Sequence, residues 1–158
     1  MSDPTQERLE QTRSNYHARC LVCARPHDNA LALEFEVCPD GSVRSGFPCE
    51  ESFEGYNGLL HGGVISSIVD GAMTNCLFAH GIVAVTADLN VRFRHPVELL
   101  VPLEVTAKIT LNTGPLYHLE ARLTQCGVLK AKAAAKFMKA PAPLAKQIEE
   151  DSGQKREE

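Results

Sequence analysis

His61-Gly62-Gly63 is the run whose residue types best suit chemistry, and an acid, Asp70, follows nine positions after the histidine. Glycine inside a helix costs up to about 1 kcal/mol relative to alanine, so a pair at a helix start needs a reason. The first N–H groups of any helix lack internal partners. No Ser, Thr, Asp or Asn immediately precedes Gly62 to cap them. N–H groups unshielded by β-carbons suit an anion or a polarised carbonyl oxygen; tight packing of the helix start is the plainer alternative. On that helix Asp70 lies two turns in, opposite an apolar stripe, with Ser66 and Thr74 one turn to either side. A carboxylate so placed suits a general base toward water or a nucleophile. Its plainer reading is a solvated surface acid. His61 either donates a hydrogen bond or is a structural loop residue.

A second constellation is Cys20-x-x-Cys23, with His17 and His27 nearby and Cys38 and Cys49 further on. Two cysteines at this spacing form half of a tetrahedral zinc site or a redox pair. A second ligand pair at standard spacing is missing, so cysteines packed as small hydrophobes are the first expectation. Metal ligation is expected at none of them, with Cys20, Cys23, His17 and His27 as weak candidates.

The elements that must position these groups are legible in the periodicities. Pro4 to His17 is polar and helix-compatible, and the stretch from Cys20 to Asn29 is a loop. Leu31, Leu33, Phe35 and Val37 alternate with polar or small residues, as in a half-buried strand. Pro39-Asp40-Gly41 is a turn, and Val43, Ser45 and Phe47 complete a hairpin. From about Gly62 to His80, Val64, Ile65, Ile68, Val69, Ala72, Met73, Cys76 and Leu77 form a wide apolar stripe at helical spacing, closed by Gly81. Four alternating segments follow, through Val83 to Phe93, Leu103 to Leu111, Tyr117 to Leu123 and Leu129 to Phe137. Turns at Asn112-Thr113-Gly114-Pro115 and around Gly127 make them antiparallel. The order predicts an α+β fold in which a curved antiparallel sheet wraps one long central helix. The division expected is a helical segment over 1–19, one domain over 20–139 and a disordered tail over 140–158.

At 158 residues a single domain with a sizeable core is the natural expectation. No apolar run reaches the roughly 18 residues needed to cross a bilayer. The polar N-terminus lacks a signal-peptide segment, so a cytoplasmic location with reduced thiols is expected. Between Asp28 and Asp70 eight acidic residues face one base, Arg44, whereas between Arg92 and Lys139 eight basic residues face three acidic ones. Such asymmetry fits either a site for an anionic partner or solvated outer strand faces. The acidic overall balance and few aromatics argue against nucleic acid.

Gly58-Leu59-Leu60-His61-Gly62-Gly63-Val64-Ile65, then Asp70, then Thr86 through Val97 (Thr-Ala-Asp-Leu-Asn-Val-Arg-Phe-Arg-His-Pro-Val) resemble the 4-hydroxybenzoyl-CoA and phenylacetyl-CoA thioesterase superfamily. The similarity spans roughly Leu31 to Met138. It implies a hotdog fold and a hydrolase that cleaves acyl-CoA without metal or cofactor. By that resemblance Asp70 is nucleophile or general base, the N–H of Gly62 or Gly63 polarises the thioester carbonyl, His61 orients the thioester, and Thr74 helps to hold Asp70 or the water. The resemblance also implies a site between two subunits of a homodimer, with pairing into a homotetramer left open. Asn90, Arg92 and Arg94 are its candidates for substrate binding, the arginines for the CoA phosphates. Many relatives carry Asn or Gln six residues before the histidine; here that position is Gly55, and Asn57 is the candidate replacement. The alternatives are a non-catalytic acyl-CoA-binding hotdog protein, or metal binding through the Cys20/Cys23 region. A hydratase would need a different histidine and acid arrangement.

Overall fold

In the computed structural model, which describes residues 1–24 and 30–154, the elements are α1 (Gln6–Tyr16), β1 (Glu36–Val37), β2 (Val43–Phe47), α2 (Gly62–Ala79), β3 (Ala84–Phe93), β4 (Leu103–Asn112), β5 (Leu116–Gln125), β6 (Val128–Lys139) and α3 (Ala142–Gln154). The strands form one antiparallel sheet in the order β1-β2-β4-β5-β6-β3. This is the hotdog architecture expected from the sequence: a six-stranded sheet with one long central helix. The apolar stripe of α2 supplies the core. Ile68, Val69, Ala72, Met73, Cys76 and Leu77 are fully buried, against inward residues such as Val105, Leu123 and Phe137. The inward positions of β6 are mostly alanines (Ala131, Ala133, Ala135), leaving room beneath the sheet for the helix.

Three stretches differ from the sequence-based expectation, each for a local reason. The Leu31–Phe35 run is buried in alternation, but the ladder exists only at Glu36–Val37. Ala32 has φ +52°, and the N–H groups of Leu31 and Leu33 donate to the carbonyls of Leu21 and Val22 at 2.8 Å. Those bonds tie the segment to the cysteine loop instead of to a strand. The tail from Ala140, expected to be disordered, forms α3. Pro143 sits in its first turn, where a missing N–H costs nothing, and Glu149 accepts a 3.0 Å hydrogen bond from Tyr16 of α1. The third difference, in β3, decides the functional site and is described below.

The polar side of α2 is partly covered from within the chain. Thr5 N–H donates to the Ala79 carbonyl at 3.1 Å, so α1 packs against the end of α2. Val22 lies directly on Gly71: a β-carbon there would stand 2.4 Å from Val22 Cγ1 and 3.0 Å from Val22 Cβ. Gly71→Ala is therefore an overpacking substitution, expected to cost about 1–3 kcal/mol in urea unfolding. Val22→Ala in the same chain should return part of that loss, and simple additivity of the two would contradict the contact. Among the described residues no helix is long and apolar enough to cross a membrane.

Candidate active site

The start of α2 is held by its neighbours' backbone. His61 N–H donates to the Phe53 carbonyl (3.0 Å), Leu60 N–H to Val97 (2.9 Å) and Leu99 N–H to Gly58 (3.0 Å). The 97–101 turn is itself pinned by the buried Gln125 carboxamide, which accepts from Glu98 N–H at 3.0 Å and donates to the carbonyls of Glu98 and Val101 at 2.9 and 2.8 Å. Gln125 occupies an inward position of β5 after Tyr117, Leu119, Ala121 and Leu123. A polar residue in an apolar register was the available signal for it.

The helix is not uncapped, as its sequence suggested. His61 is the N-cap, and its Nδ1 accepts from Gly63 N–H at 2.8 Å. This explains Gly63: a β-carbon would lie 3.0 Å from His61 Nδ1. The carbonyl of His61 accepts from Val64 and Ile65 N–H. Of the backbone donors of His-Gly-Gly, the Gly62 N–H alone has no partner among the described residues, and Gly62 lines an open cleft of about 510 Å³ with Glu54, Gly55, Tyr56, Leu60 and His61. Phe93, 52% exposed at the end of β3, has ring atoms 3.7–3.8 Å from where a Gly62 β-carbon would sit. Gly55 passes so close to His61 that a β-carbon would stand 3.0 Å from its Cα. A side chain at that position would require the backbone to move. Asn57 is exposed in the adjoining turn and does not line the cleft.

Asp70 is half-buried, and burial pushes its carboxyl above the usual carboxylate range. The opposing influence is a 2.8 Å hydrogen bond from Thr86 Oγ1 to Asp70 Oδ1. Thr74, expected beside the carboxylate, instead donates to the backbone carbonyl of Asp70 at 3.0 Å. Thr86 reaches Asp70 because the β3–β6 register shifts between Thr86 and Asp88. Before the bulge Thr86 pairs with the buried Phe137; after it Leu89, Val91 and Phe93 pair with Ala135, Ala133 and Ala131. Paired residues share a face, so the bulge turns Thr86 inward and leaves Val85 37% exposed. An uninterrupted alternation through Val83, Val85 and Ala87 points the wrong way.

Asn90 and Arg92 consequently face outward, paired with Ala134 and Lys132. Asn90 lines a shallow groove of about 230 Å³ with Asp88, His118 and Lys136. Arg94 follows the strand end, its N–H on the Lys130 carbonyl at 2.8 Å. Within one chain Asn90 and Arg92 lie across the sheet from Asp70.

The order of α2, β3 and β4 around the His-Gly-Gly turn and the acid is also what the family comparison recognises: the Thioesterase superfamily profile matches residues 57–112. Residues 57–112 are thus similar to the thioesterase superfamily. The chain is 32% identical over 88 residues to the acyl-coenzyme A thioesterase THEM4 of Rattus norvegicus, covering 54% of this chain but 38% of that protein. The chain thus spans well under half the length of that relative. A solved thioesterase superfamily protein is 27% identical with a TM-score of 0.66, over 70% of this chain and 59% of its own. A hypothetical thioesterase protein from Streptococcus pneumoniae, solved with coenzyme A, shares the fold at 19% identity and a TM-score of 0.65, over 68% of this chain and 88% of its own.

The Thr86 bond has a measurable sign. The bond favours the ionised carboxyl, so Thr86→Val raises the Asp70 pKa further. If the carboxylate is the active form, the acid limb of kcat/KM against pH moves to higher pH by about one unit, the worth of one hydrogen bond to a charge. An unmoved limb would show that Thr86 does not hold the working carboxylate.

Proposed function

We propose that the chain is a thioester hydrolase that cleaves acyl-CoA to free CoA and a carboxylic acid, working as a homodimer with two composite sites. Asp70 of one protomer acts as general base or nucleophile; the Gly62 N–H and His61 of the other receive and orient the thioester carbonyl. The observation that carries this is a distance. Gly62 and Asp70 are eight residues apart on one straight helix, roughly 12 Å at 1.5 Å per residue. A single carbonyl cannot meet both groups of the same chain, whereas a second copy can bring its helix start to this Asp70.

The place for that copy is the edge of β3, a ten-residue strand that among the described residues is bonded only to β6. A long edge with apolar side chains demands a partner, and Val85 and Phe93 are exposed along it. Arg92, Arg94 and the neighbouring Lys130 and Lys132 form a cationic end to the strand suited to the CoA phosphates. The S. pneumoniae relative solved with coenzyme A and the acyl-coenzyme A thioesterase name of the rat relative support the substrate class. The six unpaired cysteines are the basis for proposing a reducing, cytoplasmic setting.

A panel of acyl-CoAs with chromatographic measurement of free CoA tests this reading. Hydrolysis of at least one member is expected, with a dimer or a pair of dimers by light scattering. Acyl-CoA that binds without being cleaved by the intact dimer would favour the non-catalytic alternative, which the missing amide at Gly55 suggests.

A further inference from the structure

The end of α1 and the loop after it bring together three soft ligands that the thioester reading does not use. His17, Cys20 and Cys23 place their ligand atoms within 4.8 Å of one another, and His17 Nδ1 lies 3.6 Å from Cys23 Sγ. Their positions are determined by contacts other than their own. His17 closes α1 with its N–H on the Arg13 carbonyl at 2.7 Å, and its ring stands edge-on to the buried Phe78, centroids 4.8 Å apart. Cys20 N–H donates to the His17 carbonyl at 3.2 Å and Ala24 N–H to that of Cys20 at 3.1 Å. Arg13 Nη1 donates to the Cys23 carbonyl at 3.3 Å. The Val22 N–H donates to Cys20 Sγ at 3.3 Å, which favours a thiolate there.

Beneath the loop lies Asn75, fully buried on α2. Its Nδ2 donates to the Gly71 carbonyl at 2.9 Å, and its Oδ1 is a buried acceptor without a partner among the described residues. A packed hydrophobic cysteine pair has no use for such polar surroundings.

We propose that His17 Nδ1 and the sulfurs of Cys20 and Cys23 bind one zinc-class cation, with a fourth position for water or another donor. Tetrahedral zinc takes sulfur at about 2.3 Å and imidazole nitrogen at about 2.0–2.1 Å, so its ligand atoms stand roughly 3.4–3.8 Å apart. The His17–Cys23 separation already meets this, and the cluster needs to contract by no more than about 1 Å. Both thiols lose their protons to solvent on binding, and no oxidant is involved. The bound cation ties the end of α1 to the loop whose Val22 covers Gly71, next to Asp70. This revises the sequence-based expectation that no metal is held, and it is independent of the thioester reading, since metal binding is read without substrate. His27, the other candidate from the sequence, lies outside the described residues.

The test is titration of the reduced, metal-free full chain with Co2+, followed by absorption. The expected result is one equivalent per chain with a thiolate-to-cobalt band, displaced by Zn2+, and a rise in the thermal midpoint on metal addition. Cys20→Ser and Cys23→Ser should each remove the band, His17→Ala should weaken binding at least about tenfold, and Cys126→Ser should change nothing. In case the serine variants fail to fold, the unmutated chain supplies a second measure: Zn2+ should protect Cys20 from iodoacetamide, mapped by mass spectrometry. A reduced chain that takes up no Co2+, a band that survives Cys20→Ser, or Cys20 alkylated equally with and without Zn2+ would each overturn the proposal.

Discussion

Asp70→Asn is expected to lower kcat on the best acyl-CoA by about two to four orders of magnitude, the usual worth of a positioned base or nucleophile. Asparagine keeps the shape and keeps an oxygen for the Thr86 hydroxyl, so the loss isolates the charge and basicity of the carboxylate. The same substitution should leave the fold intact and somewhat more stable at neutral pH. Burial raises the folded-state pKa of Asp70, so folding favours the protonated acid, and that contribution is fully present only at low pH. It is lost as pH rises through the folded-state value, leaving a desolvated carboxylate at neutrality. A neutral amide removes that penalty. Full turnover by Asp70→Asn would sink the assigned role, whereas lost activity with a collapsed thermal midpoint would point to a structural acid.

Gly62→Pro is expected to lower kcat by about two to three orders of magnitude, as removal of one oxyanion donor does elsewhere. The substitution deletes the one N–H of the His-Gly-Gly turn that has no partner, at the first helical position, where proline is well accepted. His61, with φ −61° and ψ 133°, already has the extended backbone that a residue before proline requires. A β-carbon at 62 meets nothing closer than Phe93 at 3.7 Å. The two inactive variants together then test the composite site. Co-expressed Asp70→Asn and Gly62→Pro chains form mixed dimers with one complete site, so about a quarter of the unmutated activity should return. A mixture as inactive as its parents would mean that acid and N–H serve the same chain's site.

The stripe of α2 and the alternation of β4, β5 and β6 were legible because each repeats a period that one buried face imposes. Thr86 was not legible. Its aim toward Asp70 depends on a one-residue bulge against β6, and β3 alternates so regularly that no local signal announces it. The partner of Thr74 was not legible for the opposite reason: helical spacing placed the residue, but its hydroxyl bonds back to the Asp70 carbonyl, a local habit of threonine in helices. Gly55 read as the loss of an amide, yet its close passage under His61 makes glycine the residue that fits there.

The His-Gly-Gly run and Asp70 on one amphipathic helix, and the succession of strands along the chain around them, were determined by the sequence alone, because side-chain type and period act locally. The division of labour among the turn's N–H groups was decided only in three dimensions: His61 caps Gly63 with its own imidazole and leaves Gly62 as the unpartnered donor. So was the cover on the polar face of α2, where Val22 and α1 bury Gly71 and Asn75 from within the chain. Both depend on which groups meet across distance in sequence, and periodicity carries no information about that.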